Sequence, residues 1–294
     1  MERMSAVRWL AKCAGSAALL LLACGLATAW FGNSLQLPAT TTRDGTLITL
    51  NRYAREPIPD IVLVGSSLTF RLKEEYFTTP HLRNLALAGG SPVTGLEIVA
   101  NQPRLPRLIL IETNVLVKAP DAAVVERYSS RDAEPLFFRP VRAAVAAYEN
   151  WLHAPLTHEQ VSAELDQLLK EPPSDFDNRV YVERALAQFN AQDSTGVTQA
   201  NVDRVEQLIA SIERRGSRAL LYELPYSQPL EESRLAKITH EIVHARFPAP
   251  DRWLHIDYSR GDLRWADGVH LDERSAVIVA QSIDRVLPLL LGPR

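Results

Sequence analysis

Three four-residue apolar runs constrain this chain more than anything else in it. Ile61-Val62-Leu63-Val64 ends at Gly65, Leu108-Ile109-Leu110-Ile111 ends at Glu112, and Ala219-Leu220-Leu221-Tyr222 ends at Glu223. None alternates with polar residues, so each must be covered on both faces. That is the condition of strands in a parallel sheet packed between helices. Leu85-Ala86-Leu87, before Gly89-Gly90, and Leu254-His255-Ile256 add two expected strands. Helical signals recur between them. Ser91-Pro92 supplies an N-cap and a proline at the first helical position, opening a helix to about Gln102. Further helices are expected from about Asn201 to Arg215, from about Pro229 to Phe247, and from Ser275 to Leu287. Strands alternating with helices predict an α/β fold around a parallel central sheet. Residues 119–200 break that rhythm. They read as a helical insertion punctuated by Pro135, Pro140, Pro155 and Pro172-Pro173.

The amino terminus is of another kind. Arg3, Arg8 and Lys12 precede an uncharged apolar stretch from Cys13 to Phe31, and no further Lys or Arg occurs before Arg43. A run of this length is at the short end of what spans a bilayer, and the basic flank places the terminus on the cytoplasmic side. Residues 1–31 therefore read as a signal anchor or a signal peptide. Ala27-Thr28-Ala29 would be the cleavage site, and Leu21-Leu22-Ala23-Cys24 has the form of a lipidation site at Cys24. Each alternative exports residues 32–294, and a retained anchor or a lipidated Cys24 would also hold the chain at a membrane. Residues 32–58, Thr-rich with Pro38 and Pro57, read as a linker to a domain spanning 59–294. Both cysteines, Cys13 and Cys24, lie in the apolar segment, so the exported part has neither a disulfide nor a thiolate metal site. The whole chain has a net charge of −3; removing residues 1–31 takes out three basic groups and one acidic, leaving −5. With that charge and few aromatic residues, a nucleic-acid partner is not expected.

The expected chemistry lies at the carboxyl ends of the strands, where parallel sheets bind ligands. Ser67, in Gly65-Ser66-Ser67-Leu68, follows a strand on a turn that exposes a hydroxyl. Gly89, after Asn84-Leu85-Ala86-Leu87-Ala88, lets a backbone N–H approach a reacting oxygen. Asn114, in Glu112-Thr113-Asn114, offers a side-chain amide to an oxyanion. Asp267 stands three residues before His270, close enough to orient the imidazole that accepts a serine proton. Each piece alone has a plainer reading: Ser67 as part of a helix cap, Asn114 as a turn residue. Their shared order and their positions at element boundaries favour the catalytic one.

These blocks resemble those of the SGNH (GDSL-like) hydrolases. The resemblance covers roughly 60–116 and 217–289. It implies a flavodoxin-like three-layer α/β/α fold, a Ser67–Asp267–His270 triad, and oxyanion donors at Gly89 and Asn114. Ser66 stands where that family usually has aspartate, Glu112 where a glycine usually precedes the asparagine by two, and Val115 where an aspartate usually follows it. Such blocks look like those of the membrane-anchored branch that includes polysaccharide O-acetyltransferases. The implied activity is acyl-ester hydrolysis or O-acyl transfer, with acetyl as the expected acyl group. Its partner would be a carbohydrate polymer or another acyl ester, and no cofactor is implied. A transferase of this kind would also need a membrane partner supplying acyl groups. Glu112 and Trp265 are candidate substrate contacts. Glu112 reads equally well as a strand-end carboxylate paired with a helix N-terminus, and Trp265 as core packing.

One further motif competes. His240-Glu241-Ile242-Val243-His244 is a full H-E-x-x-H on an expected helix, with both imidazoles on one face. In a zinc peptidase His240 and His244 would hold the metal, Glu241 would be the base, and Glu273 is the candidate third ligand. The same pattern suits the solvated face of a surface helix, and Pro248 and Pro250 end that helix at once. A catalytically silent scaffold with the same fold is the third alternative.

Overall fold

The structure, a computed structural model, describes residues 2–31, 42–129 and 156–292. The chain divides into two compact units, 1–41 with 134–156, and 42–133 with 157–294. The one regular element described in the first unit is helix α1 (Glu2–Phe31). Its segment Ala6–Leu26 is long and apolar enough to cross a membrane, with a mean hydropathy of 1.7 and none of it buried.

The second unit is an α/β sandwich. In chain order it contains α2 (Thr42–Arg55), β1 (Ile61–Val64), α3 (Ser67–Phe70), β2 (Leu82–Asn84), α4 (Pro92–Ala100), β3 (Leu108–Glu112) and α5 (Ala122–Ser129). Then follow α6 (His158–Lys170), α7 (Arg179–Ala191), α8 (Thr195–Arg214), β4 (Arg218–Tyr222), α9 (Gln228–Glu231), α10 (Arg234–Arg246) and α11 (Glu273–Leu291). The sheet is wholly parallel in the order β2-β1-β3-β4. The three apolar runs form β1, β3 and β4. Alternate residues serve opposite faces. Val62, Val64, Ile109, Ile111, Ala219 and Leu221 join one core with α2, α4, α8 and α10. Ile61, Leu63, Leu108, Leu110, Leu220 and Tyr222 join a second core dominated by α11. Both faces are covered, which is why the strands show no alternation.

Several expectations are corrected. Residues 42–55, expected within a linker, form α2, and its Leu50, Tyr53 and Ala54 are buried against the sheet. Those three sit at i, i+3 and i+4, a helical stripe hidden by the surrounding threonines. The edge strand is Leu82–Asn84 rather than Leu85–Leu87. Its polar Arg83 and Asn84 disguise it, although Leu85 and Leu87 still donate to Leu63 and Gly65 carbonyls (2.8 and 2.9 Å). Leu254–Ile256 forms no strand; one parallel bridge, Leu221 to Trp253, is what exists there. The helix expected from about Pro229 to Phe247 is two helices, because Ser233 caps α10 and ends the run before it. The insertion contains α5 to α7; its prolines 135, 140 and 155 lie outside the described residues.

The order of the strands positions the site. After β1 the chain moves outward to β2, then returns past β1 to β3. The carboxyl ends of β1 and β3 therefore flank the switch point where α/β sheets open a crevice. Ser66 and Ser67 follow one of those ends, and Glu112 closes the other.

Candidate active site

Ser67 is the first residue of α3, directly after β1. Ser66 is its cap, with the Leu68 N–H donating to Ser66 Oγ at 3.2 Å. The turn closes tightly at Gly65. A Cβ there would stand 2.3–2.4 Å from the Thr69 side chain and 2.7 Å from Glu112 Oε2, so any larger residue collides.

Glu112 lies beneath this turn and is fully buried. Its Oε2 accepts the N–H groups of Ser66 (2.9 Å) and Thr69 (3.1 Å) and the Thr69 hydroxyl (2.6 Å). Its Oε1 accepts the Ser66 hydroxyl at 2.7 Å. The Thr69 proton is thereby committed, so the Tyr222 hydroxyl, 2.6 Å away, donates to Thr69 Oγ1. Burial pushes the Glu112 carboxyl above the usual glutamate value, against the pull of its hydrogen bonds from Thr69 and Ser66. The expectation that Glu112 contacts substrate is corrected. It is the strand-end carboxylate that holds a helix N-terminus, and no face of it is open. Among the described residues, the turn's amides at Ser66, Leu68, Thr69 and Phe70 all have partners, and Ser67's has none.

The facing group comes from the loop before α11. Asp267 Oδ1 accepts the N–H groups of Val269 (3.0 Å) and His270 (2.7 Å), and Oδ2 lies 2.8 Å from His270 Nδ1. His270 Nε2 lies 2.8 Å from Ser67 Oγ. Three residues separated by up to 203 positions thus form one hydrogen-bonded line. Partial burial pushes the Asp267 carboxyl up. The hydrogen bonds from the His270 ring and amide and the Val269 amide outweigh that and hold it at about 2. It is ionised at neutral pH, accepts Nδ1–H, and leaves Nε2 to accept the Ser67 proton.

The loop is tied down by its own backbone. Ala266 N–H donates to the His270 carbonyl (2.8 Å), and Ser227 N–H to that of Gly268 (2.9 Å). Gly268 turns at φ +85°, where a Cβ would stand 3.0 Å from both Ser227 Oγ and Val182. Trp265 packs this loop: its indole N–H donates to Pro225 (2.9 Å), and its carbonyl accepts Asn178 Nδ2–H (2.5 Å). Those bonds fit the packing role, and the ring is half-buried.

The expected oxyanion donors divide. Gly89 is exposed on its turn, and the Gly90 amide beside it is bonded to Leu87 (2.8 Å). Asn114 is bonded on both sides to one residue. It donates to the Leu224 carbonyl (2.8 Å) and accepts the Leu224 N–H (2.7 Å), stapling the end of β3 to the chain after β4. One amide hydrogen of Asn114 is therefore committed to structure.

The histidines of H-E-x-x-H do meet, with ring centroids 4.0 Å apart on α10. The peptidase constellation is otherwise not built. Glu241 is exposed, and Glu273 is bonded elsewhere, to Lys73 (2.8 Å) and Tyr76 (3.0 Å). The acidic residue beside the pair is Glu223, which sequence reasoning overlooked because it lies in another segment, just after β4. Thr69 and Tyr222 were overlooked too. Their only sequence signal is position, one helical turn after Ser66 and at the end of a strand. No family model and no curated protein matches this chain.

Proposed function

We propose that this chain is a membrane-tethered serine acyl-ester hydrolase or O-acyltransferase, of the SGNH type its sequence resembles. One observation carries the reading: the continuous line Asp267–His270–Ser67, with 2.8 Å at each side-chain junction. His270 Nε2 takes the Ser67 proton as the oxygen attacks an ester carbonyl, and Asp267 stabilises the imidazolium that results. The Ser67 amide, left without a partner by the turn, is suited to hold the oxyanion, with Gly89 and the second hydrogen of Asn114 as its companions. His270 then protonates the departing alkoxide. Water or an acceptor hydroxyl next attacks the acyl-serine, with His270 again as base.

The acyl group in this reading is acetyl, and the substrate or acceptor a carbohydrate polymer outside the cytoplasm. The apolar helix Ala6–Leu26 supports a tether, and its basic flank supports export of the catalytic unit. Export separates the site from cytosolic acyl donors, so transfer requires a membrane partner that presents the acyl group. The test is hydrolysis of a chromogenic acetyl ester by the full chain in detergent, beside Ser67→Ala, with and without chelator. Activity that needs Ser67 and ignores chelator is expected. Activity that survives Ser67→Ala overturns the reading.

A further inference from the structure

The H-E-x-x-H segment makes a donor cluster of a different composition from the one its motif implies. Glu223 follows β4 and meets the face of α10 that carries His240 and His244. Both Glu223 carboxylate oxygens lie 3.1 Å from His240 Nδ1, and Oε1 lies 3.4 Å from His244 Nε2. One donor atom from each of the three residues lies within 4.8 Å of the others. Donors bound at about 2.0–2.1 Å to one tetrahedral Zn²⁺ stand about 3.3 Å apart. The carboxylate–imidazole separations have that size.

Two features go beyond proximity. His244 lies flat on the Trp253 indole, with centroids 4.0 Å apart and planes within 3°. Trp253 is itself fixed, its N–H donating to the Phe247 carbonyl at 2.8 Å. The imidazole is therefore oriented before any ligand arrives. His244 Nε2 is also shielded from solvent and makes no hydrogen bond, among the described residues, although it faces Glu223. Its contact with Glu223 Oε1 at 3.4 Å lacks hydrogen-bond geometry, and a shielded ring nitrogen held that way is costly unless something accepts its lone pair or its proton. Beside the cluster, a cleft of about 360 Å³ lined by Asn114, Glu223, Tyr226, Lys237 and His240 leaves room for a water as fourth ligand.

We propose that Glu223, His240 and His244 form a Zn²⁺ site that clamps α10 to the end of β4, with Glu241 taking no part. Two imidazoles and a carboxylate are a donor set that zinc accepts. This proposal does not rest on the serine mechanism, and its test reads metal rather than esterase activity. Untagged full-length chain in detergent is stripped with chelator, dialysed free of it, and titrated calorimetrically with Zn²⁺. One Zn²⁺ per chain is expected, with a dissociation constant of about 1 µM or tighter. His244→Ala and the shape-conserving Glu223→Gln should each weaken binding by about 100-fold, while Glu241→Gln leaves it unchanged. Zn²⁺ should also raise the Tm of the parent chain but not that of Glu223→Gln. Absence of stoichiometric binding overturns the proposal. So does binding that survives the double variant His240→Ala/His244→Ala, or a loss in Glu241→Gln equal to that in His244→Ala.

Discussion

The two halves of the proposed catalytic line are held in different ways. The Ser67 turn is held from below, by a buried carboxylate on the neighbouring strand that binds two amides and two hydroxyls. The His270 loop is held from within, by an aspartate that binds its own loop's amides as well as the ring it orients. In the proposed mechanism structure and chemistry are therefore separable at the turn, where the buried Glu112 supports Ser67 without reaching the surface. In the loop one carboxylate does both. The environments match the tasks. Glu112 is buried and pushed up by desolvation; Asp267 is partly exposed and held at about 2.

Substitutions can break this contrast. In the loop, Asp267→Asn should lower acetyl-ester turnover by about 10⁴-fold, because the amide no longer holds the required imidazole tautomer. Its Oδ1 still accepts both backbone amides, so the fold persists and Tm should fall only by what the lost charge contributed. Turnover and thermal melts of the same preparation check both halves. Beneath the turn, Glu112→Gln should do the reverse in proportion. The amide nitrogen cannot accept, so at least one of the four donors loses its acceptor, at a cost of about 1–3 kcal/mol for each group left unsatisfied. Urea denaturation should show that loss, with turnover falling through a displaced Ser67 rather than through lost chemistry. An Asp267→Asn chain that keeps most of its turnover, or a Glu112→Gln chain of unchanged stability, removes the distinction.

The pH dependence of stability sharpens it, since the two carboxylates act with opposite sign. Asp267 is depressed, so its contribution is present above the ordinary aspartate value of 3.8 and is lost as pH falls through about 2. Glu112 is raised, so the folded state holds its proton longer, and stability declines as pH climbs from the ordinary glutamate value of 4.5 through the raised one. Asp267→Asn should flatten the acid-side loss between about pH 4 and 2, and Glu112→Gln should flatten the decline above about pH 4.5. Urea midpoints across that range check each. The smallest effect belongs to Tyr222→Phe. It removes only the hydroxyl that donates to Thr69, so about 1 kcal/mol of stability and less than a tenfold change in turnover are expected.

The residues differ in how far the sequence betrays them. β1, β3 and β4 were legible because burial on both faces demands an unbroken apolar run. Ser67, Asp267 and His270 were legible because each falls at a strand end or helix start in a recognisable order. The edge strand was not, since an edge tolerates Arg83 and Asn84 where a central strand would not. Helix α2 hid for a related reason, its three buried residues being diluted by polar ones. The support of the turn was half legible. Glu112 could be placed at a strand end, but its partners Ser66 and Thr69 lie 46 and 43 residues away and meet it only through the register of β1 on β3. Glu223 belongs with these, since nothing near it in sequence marks it as a neighbour of His240 and His244.

The central claim is that Ser67 is an activated nucleophile, and covalent labelling tests it most directly. The full chain is treated with a fluorophosphonate ester, weighed intact, and digested to locate the adduct. One adduct, on Ser67, is predicted, and it should vanish in His270→Ala while the fold persists. No adduct on the parent chain, an adduct on another hydroxyl, or equal labelling of His270→Ala would contradict the account.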